Sequence, residues 1–148
     1  MKTRLAVVVM GLVVILLGAL TPVDSIAAER SLVGSWIIHV MPDQPDLPPG
    51  RNIGTFTSDR TMINTDPEFG TGYGIWKKTG PREFAVKFLT LVPAGHPAGE
   101  GTTTVTSPVT VDKDGDTATG PFTTVVDAAN LQATVTGTVV LTRIKFNQ

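Results

Sequence analysis

Residues 72–88 constrain the fold most, because two alternating runs flank one tight turn at residues 79–81. Before the turn, Tyr73 and Trp76 fall at opposite parity within one extended run. After the turn, Phe84, Val86 and Phe88 share one parity. Alternation with a period of two residues around a Gly-Pro break predicts an antiparallel β-hairpin with one buried face. Parity alone leaves open whether Tyr73 or Trp76 points into the core.

The same alternation recurs along the chain after residue 28. Besides the two arms of the hairpin, extended segments are predicted at residues 31–41, 51–58, 61–65, 101–112, 116–126 and 131–144. The connections are short and rich in Pro, Gly and Asp, and no apolar repeat of helical period occurs there. A meander of eight strands has two unpaired edges unless it closes. We therefore predict an all-β fold, an eight-stranded antiparallel up-and-down β-barrel rather than a two-sheet sandwich, with an interior that is just filled or holds one small ligand.

The first 27 residues have the order of a secretory signal peptide. A basic start at residues 1–4 precedes an uncharged apolar run at residues 5–20, and Ser25 and Ala27 suit the positions before a cleavage site. The run is shorter than the roughly 20 residues of a spanning helix, which favours cleavage over an uncleaved membrane anchor. We predict a signal-peptide helix within residues 1–27, a single domain at 28–148, no membrane association after cleavage, and a secreted or periplasmic protein.

Composition excludes several classes of function. The chain has no cysteine, which rules out metal–thiolate sites and cysteine nucleophiles. The net charge is −1 and the basic residues are scattered, so no nucleic-acid partner is predicted. The sequence has no Gly-x-Ser-x-Gly motif, phosphate-cradling loop or redox motif. No cofactor is predicted, no catalytic residue can be assigned, and the oligomeric state is left open.

The two histidines are the first candidates for chemistry. His39 lies on the first predicted strand. If that face of the strand points inward, His39 would be an acid–base residue in an apolar barrel interior. A lone polar residue on a strand face is more often solvated, so the surface position is favoured. His96 falls in a loop rich in Pro and Gly and is expected to be exposed. The spacing of the two histidines matches no metal motif, and no metal is predicted.

Acidic residues cluster in a few loops. A meander places the loops after the first and third strands at the same barrel end, and these loops carry Asp43, Asp46, Asp66 and Glu68. Paired carboxylates at a barrel mouth can do acid–base work, but such residues are more often turn formers. Residues 112–116 resemble a calcium loop without its terminal bidentate Glu, so a hairpin turn is favoured.

Gly34-Ser-Trp36 at the start of the first strand, with Arg143 near the end of the last, resembles the lipocalin (calycin) pattern. The resemblance implies that Arg143 packs over the Trp36 indole as a cation–π cap. Residues 72–84 are also similar to secreted bacterial lipocalin-like domains, and the chain is more loosely similar to allene-oxide-cyclase-like barrels. By analogy, the fold implies a small hydrophobic ligand.

Three hypotheses about function follow. The first is an exported barrel that binds a small hydrophobic molecule in its interior. The second is a cofactor-free barrel cyclase or isomerase that holds a reactive substrate molecule in a folded shape. Tyr73 and His39 are the polar groups to inspect under this hypothesis. The third is a packed barrel that acts through its outer face in structure or interaction. The ligand-binding residues predicted under the first hypothesis are Trp36, Ile38, Phe56, Tyr73, Phe84 and Phe88.

Overall fold

The computed structural model describes residues 31–145, which fold into one antiparallel sheet. Its eight strands are β1 (Gly34–Pro42), β2 (Gly50–Phe56), β3 (Thr61–Asp66), β4 (Gly70–Lys78), β5 (Glu83–Val92), β6 (Gly101–Val111), β7 (Thr117–Ala128) and β8 (Leu131–Arg143). Each strand pairs with its neighbour in sequence, and β8 pairs with β1, so the sheet closes into a barrel in chain order.

Closure confirms the predicted eight-stranded up-and-down barrel. The seam between the first and last strands runs from the Trp36–Arg143 pair to the Pro42–Gly137 pair, so no edge is left open along it. Within the part of the chain that the structure describes, no helix is long and apolar enough to span a membrane. The predicted signal peptide at residues 1–27 lies outside the described residues.

The inward face of β4 carries glycines. Gly72 and Gly74 share the parity of buried Trp76, whereas Tyr73 is 67% exposed on the outer face. A Cβ atom at Gly74 would lie 2.2 Å from the Lys87 carbonyl oxygen, so only glycine fits there. Strand β5 thus occupies the space on the inner side of β4 at Gly74. The large side chain of Tyr73 on β4 points outward.

One end of the barrel is filled by a hydrophobic core. Leu32, Trp36, Phe84 and Val111 are among its buried residues. The indole Nε1 of Trp36 donates a 2.8 Å hydrogen bond to the Leu32 carbonyl, which folds the segment before β1 across this end. We call this the closed end of the barrel.

Arg143 fastens the closed end from outside. Its guanidinium carbon lies 4.1 Å from the centroid of the Trp36 ring, as the lipocalin resemblance implied. The same guanidinium donates hydrogen bonds to the carbonyls of Ser31 (2.7 Å), Val33 (2.6 Å) and Gly115 (2.6 Å). Burial lowers the pKa of Arg143, and the nearby carboxylates of the turn between β6 and β7 oppose that shift. One side chain therefore joins the first strand, the segment before it and that turn.

Candidate functional site

The other half of the barrel encloses a cavity of about 440 Å³. Its walls are inward side chains of the strands, including Ile38, Phe56, Phe88 and Val135. Leu47 and other loop residues line it at the end opposite the Trp36 core, and we call this end the mouth. The volume lies within the range of about 300–1,000 Å³ that is typical of small-molecule sites.

The six residues predicted to bind ligand fall into three places. Ile38, Phe56 and Phe88 line the cavity. Trp36 and Phe84 are buried in the hydrophobic core and are not among the residues that line the cavity.

Tyr73 faces solvent, so the expectation that it lines the interior is wrong. The physical reason is the glycine face of β4: only residues without a Cβ fit against the neighbouring strand there. Tyr73 pairs across strands with Ile63 and Leu89, which are also exposed. It is therefore part of an apolar area on the outer face of β3, β4 and β5.

A buried polar side chain lies in the wall of this largely apolar cavity, two residues from Asp66 along β3. Asn64 of β3 is 1% exposed and is a cavity wall residue. It pairs with Gly72, which pairs with Thr90, which pairs with Thr103, so these four positions follow one another in register across adjacent strands. Thr90 and Thr103 are also buried and also line the cavity. The hydroxyl of Thr90 occupies the space that a side chain at Gly72 would need, since a Cβ there would lie 2.3 Å from Thr90 Oγ1.

Neither end of the Asn64 carboxamide has a hydrogen-bond partner. Both Oδ1 and Nδ2 are buried and unpaired within the described residues. Leaving such a group unpaired in an apolar environment costs about 1–3 kcal/mol in folded proteins. Buried polar side chains are nearly always paired, so this carboxamide is a group in the cavity wall whose hydrogen-bonding capacity the described residues leave unused.

Two acidic residues mark the mouth. Asp66 and Glu68 line it, and Asp66 Oδ1 accepts hydrogen bonds from the backbone N–H groups of Glu68 (2.7 Å) and Phe69 (3.1 Å). Asp66 is thus a turn former, the more common role. The Nε2 atom of His96 lies 3.8 Å from Glu68, and its ring is 5.1 Å from the Phe69 ring. His96 is less exposed than expected because it joins two mouth loops.

The remaining candidates are structural. His39 is exposed on the outer face, which confirms the favoured surface position. Asp43 holds the β1–β2 loop to β8 by accepting a 2.9 Å hydrogen bond from the Thr136 hydroxyl, and Asp46 is exposed. Asp112 accepts hydrogen bonds from the Asp116 backbone N–H (3.0 Å) and the Thr117 hydroxyl (2.7 Å), as a hairpin turn requires. Among residues 31–145, no group of three or more His, Asp or Glu side chains is placed to hold a metal ion.

Sequence reasoning missed Asn64, Thr90 and Thr103. On β3, the apolar Ile63 is exposed and the polar Asn64 is buried, which reverses the usual order. A usable signal was present in the glycines: if Gly72 and Gly74 face inward, antiparallel pairing turns Asn64 and Thr90 inward as well.

No protein-family model matches the chain, and no curated protein sequence is significantly similar to it. Among solved structures, the chain is similar to one described as EF1p2_mFAP2b bound to DFHBI. The two share 18% sequence identity with a TM-score of 0.54, over 80% of this chain and 97% of that chain. At this identity the likeness shows the fold alone, which is an eight-stranded antiparallel β-barrel.

Proposed function

We propose that this protein is an exported barrel that binds one small, predominantly apolar molecule in the cavity. The observation that carries the proposal is the cavity itself, about 440 Å³ in volume and walled by aromatic and aliphatic side chains. An eight-stranded barrel that served only as a packed scaffold would fill this space, because an unfilled apolar volume weakens a core. The cavity therefore weighs against the packed-barrel hypothesis.

Two further observations support binding. The structural neighbour is described as bound to DFHBI, a small molecule, so a barrel of similar fold holds a ligand. The secretory order of residues 1–27 supports export. The proposal includes a lipocalin-like barrel, which the Gly34, Trp36 and Arg143 arrangement supports, and a bacterial origin, which rests on the resemblance of residues 72–84.

A barrel cyclase is the second candidate function. It is favoured by the buried polar groups of Asn64, Thr90 and Thr103 in a largely apolar cavity. None of these three side chains titrates near neutral pH, and Tyr73 and His39 both face outward. Such an enzyme would therefore act by positioning and hydrogen bonding to its substrate rather than by proton transfer to these groups.

The proposal is tested with 1-aminoanthracene, a neutral apolar fluorophore. Titration into the mature protein is expected to give a saturable fluorescence increase with one site per chain. Val135→Trp places a large side chain in the cavity wall and is expected to abolish the signal. Val125→Trp is the matched control, because Val125 lies on the outer face of the neighbouring strand and is 46% exposed.

The outcomes separate the hypotheses clearly. Binding that Val135→Trp removes and Val125→Trp preserves supports a cavity site. Binding that survives Val135→Trp, or no saturable binding in the wild type, contradicts the proposed function. Thermal melting of each variant establishes that the fold is retained.

A further inference from the structure

We propose that the ligand carries an uncharged amide-like group, such as a primary amide or a lactam, and that this group pairs with the side chain of Asn64. The inference rests on the proposed function and names the chemical class of the molecule. In this arrangement, the amide-like group binds at Asn64, two residues from Asp66 of the mouth along β3, and the apolar part of the ligand contacts the aromatic and aliphatic walls.

The unpaired carboxamide of Asn64 determines which hydrogen-bonding groups a ligand must offer. Asn64 presents one acceptor, Oδ1, and one donor group, Nδ2, and both are buried without a partner in the described part of the chain. A ligand that satisfies both at once must offer a donor beside an acceptor. A cis-amide edge has this arrangement, whereas a ketone offers only an acceptor.

The charges of the cavity-lining residues disfavour an anionic ligand. The cavity-lining residues of the described chain include no Lys or Arg, and the charged ones are Asp66 and Glu68 at the mouth. A carboxylate ligand would pass these two acids and then be buried without a countercharge, which is strongly unfavourable. Fatty acids and other anions are therefore disfavoured, and an uncharged group of similar size is preferred.

The side chains that follow Asn64 in the sheet register are also polar. Thr90 and Thr103 follow it in register and line the same cavity. Their hydroxyls can donate or accept, so they can satisfy the second lone pair of an amide oxygen or its second N–H. Gly72 lies between Asn64 and Thr90 in register, and the Thr90 hydroxyl occupies the space over it that a side chain at position 72 would need.

A buried water is the alternative partner for Asn64, since a polar cavity wall commonly holds one. If water satisfies the carboxamide and the ligand does not, the protein has no preference for an amide over an apolar group of the same shape. The experiment therefore measures preference within a set of ligands of matched size.

Three competitors with equal numbers of heavy atoms make the comparison: octanamide, 2-nonanone and octanoate. Each displaces 1-aminoanthracene from the mature protein at about pH 7.5, where octanoate is ionised because the pKa of a carboxyl group is about 4. We expect octanamide to bind about tenfold more tightly than 2-nonanone, as one to two net hydrogen bonds imply. We expect octanoate to bind more weakly than octanamide.

The variant Asn64→Leu assigns the preference to this residue. It removes both polar atoms, so octanamide should lose its advantage while 2-nonanone binds as well as before or better. Asn52→Leu is the comparison, because Asn52 is a half-buried carboxamide in the wall of the same cavity on β2. Loss of the amide preference in Asn52→Leu but not in Asn64→Leu would overturn the assignment to Asn64. The wild-type comparison is independent of whether either variant folds.

The failures are distinguishable. If 1-aminoanthracene binds but octanamide and 2-nonanone compete equally, the amide-like class is wrong and the apolar cavity site stands. A preference that persists in Asn64→Leu, or tighter binding of octanoate, also overturns the inference. Absence of probe binding overturns both the inference and the proposed function.

Discussion

Replacing Arg143 by Met removes the fastening of the closed end while keeping an extended side chain over the indole. The guanidinium makes one cation–π contact, 4.1 Å from the centroid of Trp36, and donates three hydrogen bonds of 2.6–2.7 Å to backbone carbonyls. Two of those carbonyls belong to the segment before β1, at Ser31 and Val33, and the third belongs to the turn at Gly115. The substitution therefore releases three parts of the chain at once.

The magnitude follows from these contacts. A cation–π pair is worth about 0.5–2 kcal/mol, and each hydrogen bond to a charged group about 1.5–3 kcal/mol. The sum overestimates the loss, because the contacts share one side chain and the freed carbonyls of Ser31 and Val33 can be hydrated. We expect Arg143→Met to lower the free energy of unfolding by about 3 kcal/mol. For a domain of this size, that is a fall in Tm of roughly 10 °C.

The assay is two-state urea unfolding of the mature protein, followed by Trp fluorescence. Arg51→Met is the matched control, because Arg51 is exposed on β2 and should cost little. Arg143→Lys should recover only a small part of the loss, since an ammonium group cannot reproduce the forked geometry of the guanidinium. The reasoning is refuted if Arg143→Met costs no more than Arg51→Met, or if Arg143→Lys is as stable as the wild type.

Three further perturbations test separate parts of the structure. Hydrogen bonds from Thr117 and from backbone N–H groups lower the pKa of Asp112. The stabilising effect of the Asp112 carboxylate is therefore present above about pH 4 and is lost as pH falls below that value. Asp112→Asn should accordingly lower Tm at pH 7 but not near pH 2. Gly74→Ala brings a Cβ within 2.2 Å of a backbone oxygen and should cost about 1–3 kcal/mol, whereas Gly95→Ala, with nothing within 4 Å, should be nearly neutral in the same unfolding assay. Asn64→Leu should raise the stability of the ligand-free protein by about 1–3 kcal/mol in that assay, and a loss of stability would show that the carboxamide is already paired, for example with water.

The strand order and closure of the barrel could be predicted from sequence because period-two alternation and short polar turns are local signals. The pairing of Trp36 with Arg143 was accessible through the Gly34-Ser-Trp36 resemblance. Gly34 has a φ of 130°, and a Cβ there would lie 2.7 Å from the Arg143 Nη1 atom, so the motif has a steric reason in this chain.

The inward faces of β3 and β4 could not be predicted from alternation. On these strands the more apolar parity, with Ile63, Tyr73 and Ile75, faces solvent. Periodicity separates two faces but does not say which one is buried when the inward side is built from glycine and a polar residue. The position of Asn64 in the cavity wall depends on that choice, so the residue that we propose to pair with the ligand could be found only with the sheet register.

The central claim is that an apolar molecule binds inside the barrel. Because the outer face of β3, β4 and β5 is also apolar, the most direct test distinguishes binding in the cavity from binding on that face. We would record isotope-filtered nuclear Overhauser effects between unlabelled 1-aminoanthracene and the ¹³C-labelled mature protein. We expect contacts from the probe to Ile38, Phe88 and Val135 inside the barrel. Contacts to Tyr73 and Ile75 on the outer face, without contacts to the interior residues, would contradict the central claim.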